Sequence, residues 1–317
     1  MKWQGVQMQR PAMAALLAVL FLQSVARAED APRSFAYVLQ GDAFAETKAT
    51  AVQRLATCDR DWLVLDAVFA ADTPWERSDL DAVRQGHPGR KVVAYISIGE
   101  AEDYRPYWQP AWGTRGHRTA AAPAWLGKEN PSWKGNYRVQ YWHTDWQQLM
   151  LSAVDQAMAC GFDGVYLDIV DAFESFEQNG SEFIDDRVNP VTGQSYRHDM
   201  VQWVKIIAAR AREKHPAALI IPQNGSQLLE HADFLAVISA MGIEDLFTNG
   251  NAMQSRSHTR EVLGHLQHMA AAKKPILLVE YSTSTERQAV TRKQAADNGL
   301  VWLVTDRELT TLGDSGR

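Results

Sequence analysis

Six of the apolar runs in this chain end at, or lead into, a carboxylate. Asp66 lies within 62–68, Glu100 follows 91–99, Asp168 closes Gly164-Val165-Tyr166-Leu167-Asp168, and Glu280 lies within 275–281. The sixth run leads to Glu244 and the eighth to Asp306. A buried carboxylate is costly unless it is paired or hydrogen-bonded, so acids recurring at one kind of position are poor packing material. They suit a polar cleft that binds hydroxyls or amines and holds an acid/base pair. Hydrolysis of a glycosidic bond uses two such groups. One protonates the leaving oxygen; the other bonds to the anomeric carbon or activates water. Asp168 is the best placed, and Asp171 either supports it or binds a hydroxyl. For the second carboxylate Glu244 and Glu280 stand level, with Glu100 behind them. Sequence spacing leaves retention against inversion open.

Elements that could hold these acids on one rim follow from a regular alternation. Apolar runs at 35–40, 62–68, 91–99, 164–170, 219–224, 234–240, 275–281 and 300–305 predict eight strands. Helical patterns at 48–57, 78–85, 144–159, 198–214, 227–231, 258–272 and 286–297 separate them. Gly161, Pro216, Pro275 and Gly299 stand at helix-to-strand joints as stops. The runs are continuously apolar, as strands of a parallel sheet buried on both faces must be. Eight strands with intervening helices predict a single-domain (β/α)₈ barrel, in which βα loops carry the chemistry. A doubly wound open sheet is the alternative, but residues 40–44 (Gln-Gly-Asp-Ala-Phe) hold no phosphate-binding glycine pattern after the first strand.

One connection is out of proportion. Between the third strand and the next helix, 100–143 holds Trp108, Trp112, Trp125, Trp133 and Trp142, five of the eleven tryptophans, with Tyr104, Tyr107, Tyr137 and Tyr141. This composition is wrong for disorder. Some of these rings pack the loop itself. On the catalytic face of a barrel others would stack on sugar C–H faces, with Trp133 or Trp142 as candidates. Tyr37, Asp66, Glu100, Asp171, Asn224, Glu280 and Tyr281 are expected to line the same cleft.

The N-terminus reads as a secretory leader. Lys2 and Arg10 precede the apolar stretch 11–22, and Ala26-Arg27-Ala28 offers a cleavage site. The stretch is too short for a membrane anchor. The barrel would occupy 29–317, secreted or periplasmic. Losing Lys2, Arg10 and Arg27 takes the formal charge from −6 to about −9, which excludes nucleic acid as a partner and tolerates a cationic saccharide. Cys58 and Cys160 precede different strands and read as small buried residues rather than a disulfide. No cofactor or metal is called for. His258, His265 and His268 share one face of an outer helix, there is no H-E-x-x-H, and no G-x-S-x-G elbow occurs. Carboxylate-only Mg²⁺ or Ca²⁺ binding stays open as the minor alternative.

Three runs carry a family resemblance: Ala94-Tyr95-Ile96-Ser97-Ile98-Gly99-Glu100-Ala101-Glu102-Asp103-Tyr104-Arg105, Trp133-Lys134-Gly135-Asn136-Tyr137, and Gly161 through Asp168. Together with Gly242-Ile243-Glu244-Asp245-Leu246-Phe247 they resemble the extracellular glycosidases related to endo-α-1,4-polygalactosaminidases, glycoside hydrolase family 114, in its bacterial and archaeal branch. Ile243 stands where the characterised polygalactosaminidases carry Asn. The resemblance implies a secreted barrel that hydrolyses an α-linked galactosamine-type polymer. It also implies Asp168 as nucleophile and Glu244 as acid/base, ranking Glu244 above Glu280. A non-catalytic saccharide-binding protein on the same barrel is the competing expectation, and a metal-assisted hydrolase a lesser one.

Overall fold

Eight parallel strands build the frame, and period-two alternation within them separates an inner from an outer surface. The computed structural model describes residues 31–316 other than Arg115, of which Pro32 onward is one compact unit; the expected leader, 1–28, lies outside the described residues. The strands are β1 (Phe35–Val38), β2 (Trp62–Asp66), β3 (Lys91–Ser97), β4 (Gly164–Asp168), β5 (Leu219–Pro222), β6 (Met241–Glu244), β7 (Ile276–Glu280) and β8 (Val301–Val304). All neighbours from β1 to β5 pair in parallel, as do β6 to β8. A bridge between Gln223 and Gly242 and the bond from Asn224 N–H to Gly242 O (2.9 Å) join the two groups. The wall closes through the C-terminal segment. Asp314–Gly316 runs antiparallel to β8, Phe35 N–H donates to Ser315 Oγ, and Leu39 N–H donates to Leu309 O, both at 3.0 Å.

The barrel interior is filled by every second residue: Phe35 and Tyr37, Trp62 and Val64, Val93 and Tyr95, Tyr166, Ile221, Leu277 and Val279, Val301 and Leu303, all buried. The outward residues pack under the helices α1 (Lys48–Thr57), α2 (Arg77–Gln85), α3 (Thr144–Cys160), α4 (Tyr196–Lys214), α5 (Ala232–Val237), α6 (Arg256–Ala271) and α7 (Thr285–Asn298). Local signals set their ends. Thr47, Ser195 and Ser284 accept N–H bonds at the starts of α1, α4 and α7, while Gly161 and Gly299 end α3 and α7 in the left-handed region. The fold is the (β/α)₈ barrel, not the open sheet. After β8 no closing helix follows among the described residues.

Two expectations need correction. The run 234–240 is not the sixth strand. Phe234 and Ile238 are buried four residues apart while Ala236 is exposed, which is helical spacing, and α5 covers most of the run. The strand begins at Met241, in a short segment containing Gly242 that has little strand character by composition. The segment 100–143 is also not a plain loop. Glu100–Glu102, Asn136–Val139 and Leu126–Glu129 form an antiparallel three-stranded sheet packed by Trp108, Trp112, Trp125 and Tyr137, with ring centroids 4.8–5.4 Å apart. No helix among the described residues is long and apolar enough to cross a membrane. Cys58 and Cys160 are free.

Candidate active site

Alternation along the strands decides which side chains reach the cleft. β4 turns Tyr166 and then Asp168 inward; Gln223, one residue past β5, continues the inward series of Ile221; Glu244 ends β6, and Tyr281 follows β7. Gln223 links them. Its Nε2 donates to Asp168 Oδ1 at 3.1 Å and to Glu244 Oε2 at 2.7 Å, while its Oε1 accepts the Tyr166 hydroxyl at 2.6 Å. Carboxylates only accept, so the amide nitrogen must face them. Ideal amide geometry, with the two N–H bonds about 120° apart, corresponds to carboxylate oxygens about 5 Å from each other. Gly242 makes this arrangement possible, because a Cβ there would stand 1.9 Å from the Tyr166 hydroxyl oxygen.

Both carboxylates are otherwise held by neutral donors. Asp168 accepts from the Tyr95 hydroxyl at 2.7 Å and from Ile169 N–H at 2.8 Å. Glu244 accepts from the Tyr281 hydroxyl and, at 3.4 Å, from Asn224 Nδ2, while its own N–H donates to Asn224 Oδ1. Burial and then the charge of Asp168 push the Glu244 pKa up to about 7. Burial raises Asp168 as well, against the bond from Tyr95. Because the charge of Asp168 is what adds to burial at Glu244, Asp168 is the ionised partner and Glu244 keeps its proton up to about pH 7.

The backbone leaves these strand ends in an unusual way. Ile169, Asn224 and Asp245, which follow Asp168, Gln223 and Glu244, have φ of 57°, 59° and 49°. A left-handed β-branched residue is a steric outlier. At Ile169 the turn aims the N–H at Asp168, and Gly99 leaves room for it, since a Cβ at 99 would lie 2.1 Å from Ile169 O.

The other expected residues divide. Tyr37 is buried between the rings of Tyr95 and Tyr166 (centroids 6.3 and 5.1 Å), and its hydroxyl has no protein partner among the described residues. Asp171 is half-buried with no side-chain donor among the described residues; burial and then the charge of Glu174 raise its pKa well above the usual range. Glu100 is buried on the neighbouring sheet, bonded by Asn130 Nδ2 at 2.8 Å and pushed by burial up to about 7. Asp66 is at the rim but committed, accepting Arg105 Nη1 at 2.8 Å and Val68 N–H at 3.0 Å. Arg105 also pairs with Glu102, which the Tyr104 hydroxyl bonds at 2.8 Å. Trp133 is exposed on the turn that begins at Asn130.

Three placements overturn the expectation. Glu280 points outward, opposite in parity to Val279 and Tyr281, and is fully buried. It accepts Phe247 N–H at 2.7 Å, Thr248 N–H at 3.1 Å and the Thr248 hydroxyl. It braces the segment after Glu244 and does not face the cleft. Trp142 packs against Tyr141, Phe176 and Tyr196 at centroid distances of 4.8–5.2 Å, so its faces are taken. Asp306 folds back on Thr310 and Thr311. Sequence reasoning missed Gln223, Tyr95, Arg105 and Arg307. Strand parity was the available signal for the first two. His258 and His268 are exposed and His265 contacts Ser226 Oγ at 3.0 Å; among the described residues no group of three or more acids, histidines or cysteines could hold a metal ion.

The fold has counterparts. The described barrel resembles the glycoside hydrolase domain of PelA from Pseudomonas aeruginosa (TM-score 0.63, 19% identity, 90% of this chain and 98% of that one). It resembles equally Aspergillus fumigatus Ega3, solved in complex with galactosamine (TM-score 0.63, 16% identity, 89% and 93%). At such identities the likeness is one of fold. An uncharacterized protein of Deinococcus radiodurans is 33% identical over 270 residues, 85% of this chain and 79% of its own length. Uncharacterized protein MJ1477 of Methanocaldococcus jannaschii is 35% identical over 237 residues, 71% of this chain and 64% of its own length. The alignment thus spans just under two thirds of the latter. The model of glycoside-hydrolase family GH114 matches residues 23–316, and with that match the chain belongs to family GH114.

Proposed function

We propose that the protein is an exported, retaining glycosidase that cleaves an α-linked galactosamine-type polysaccharide, with Asp168 as nucleophile and Glu244 as acid/base. The observation that carries this is the Gln223 bridge. Carboxyl groups about 5–5.5 Å apart suit direct attack on the anomeric carbon, whereas inversion needs about 6.5–9.5 Å to admit a water. In the first step an Asp168 oxygen bonds to C1 as the C1–O bond to the leaving sugar breaks, and Glu244 gives its proton to that oxygen. In the second, Glu244 takes a proton from water, the water oxygen bonds to C1, and the ester to Asp168 breaks. The carboxyl with pKa near 7 is the natural proton donor, and the one that ionises first is the natural nucleophile.

Substrate class rests on charge and on kin. The charges of Glu174, Asp168 and Glu244 all act on Asp171, an acidic setting that favours an ammonium-bearing sugar. The galactosamine in the Ega3 structure supports the same class. Export rests on the leader-like residues 1–28. A non-catalytic saccharide-binding barrel would have no use for two carboxylates held at covalent reach. NMR of the first product released from an α-1,4-galactosamine oligomer tests the reading. The α-anomer is expected first, with turnover lost in Asp168→Asn and Glu244→Gln. A β-anomer first, or full activity in both variants, would sink it.

A further inference from the structure

The segment after β8 sends one cation to the rim beside Glu244. Arg307 makes a two-pronged pair with Asp245, Nη1 to Oδ2 at 2.9 Å and Nη2 to Oδ1 at 3.0 Å. Its guanidinium lies over the Tyr281 ring, 3.9 Å from the centroid, and the Tyr281 hydroxyl bonds Glu244. Asp245 is the residue next to Glu244, held in the left-handed region at φ 49°. A fork-to-carboxylate pair stacked on an aromatic face is a task for Arg rather than Lys. Across the rim Arg105 is consumed by Asp66 and Glu102.

We infer that Arg307 and Asp245 form a charge balance that sets the proton affinity of Glu244, Arg307 acting through Tyr281 and Asp245 directly. The inference deepens the acid/base assignment above and rests on it. The groups whose charges or hydroxyls face Glu244 are Asp168 and Tyr166 from β4, Asp171 beyond it, Tyr37 from β1, Tyr281 after β7, its neighbour Asp245, and Arg307. Arg307 is the one cation in that set. It favours the Glu244 anion, and Asp245 disfavours it. As a pair they oppose each other. Singly each would drive the proton in an opposite direction. Arg307 is a positioning residue: nothing in its role requires contact with the sugar.

Opposite signs separate this from structural damage. The Glu244 pKa is read directly by carboxyl-¹³C NMR of Glu-labelled protein, assigned with Glu244→Gln, so the measurement does not depend on turnover. Arg307→Gln is expected to raise it by about one pH unit and Asp245→Asn to lower it by a similar amount. Asn tolerates the left-handed backbone at 245. The double variant should return near the parent value, and Arg307→Lys should keep most of it. With an active enzyme the alkaline limb of the kcat/KM profile moves in step. Shifts of the same sign in the two single variants, or none in either, overturn the inference. A protein that shows the opposed shifts yet cleaves no galactosamine oligomer would instead overturn the substrate assignment above.

Discussion

Two acid clusters share one rim of this barrel and are handled in opposite ways. At the ends of β2 and the adjoining sheet, Asp66 and Glu102 are joined by Arg105, so two carboxylates share a cation. At the ends of β4 to β6, Asp168 and Glu244 are joined by Gln223, a neutral amide, and steadied by two tyrosines. The first cluster is built to stay in place. In the second no cation among the described residues bonds either carboxylate, so burial and mutual repulsion raise their hold on a proton. Ability to move a proton near neutral pH follows from what the site withholds.

The largest effect that would break this contrast is in the paired cluster. Arg105→Leu leaves two buried carboxylates without their cation and is expected to cost about 3–5 kcal/mol in denaturant unfolding. A loss below about 1 kcal/mol would show that Arg105 is dispensable to the frame. Next comes the neutral bridge. Gln223→Ala removes the link but no charge, so kcat should fall by about 10²-fold as the carboxylates drift from register, and the unpaired Tyr166 hydroxyl should cost about 1–3 kcal/mol of stability. An unchanged kcat would mean the spacing is set elsewhere. The smallest effect is on pH. Glu100, Glu244 and Glu280 hold protons up to about pH 7 in the fold, whereas in the unfolded chain they release them near pH 4.3–4.5. Between those values the folded state binds more protons, so stability falls as pH rises from about 4.5 to 7. Of that fall, half-buried Glu244 contributes about 1–2 kcal/mol after allowance for screening. Urea midpoints at pH 5 and 7.5 measure it, and a higher midpoint at pH 7.5 would contradict the cation-poor reading.

Much of this was legible before any coordinates. Continuous apolar runs located seven of the eight strands, because strands buried on both faces have little freedom in composition. Asp168 stood out for the same reason. The sixth strand was not legible, since its neighbour 234–238 is more apolar than Met241–Glu244 and only burial at i and i+4 reveals it as helix. Glu280 and Gln223 were misjudged on parity. Counting from Val279, Glu280 must face outward, and counting from Ile221, Gln223 must face in. Chemical type drew attention to the acid and away from the amide. Arg307 had no local signal at all, because its partners Asp245 and Tyr281 are brought to it only by barrel closure.

The left-handed residues at 169, 224 and 245 carry a consequence for recognising such sites in distant sequences. Each follows an inward side chain of the cluster, and none is glycine. Two of the three are Asn and Asp, which tolerate that conformation, and the third is a steric outlier, so the positions share a turn and not a residue, and alignment by residue identity passes over it. A fingerprint written in dihedral angles, with a left-handed turn directly after three successive barrel strand ends, would find this cleft where no motif survives.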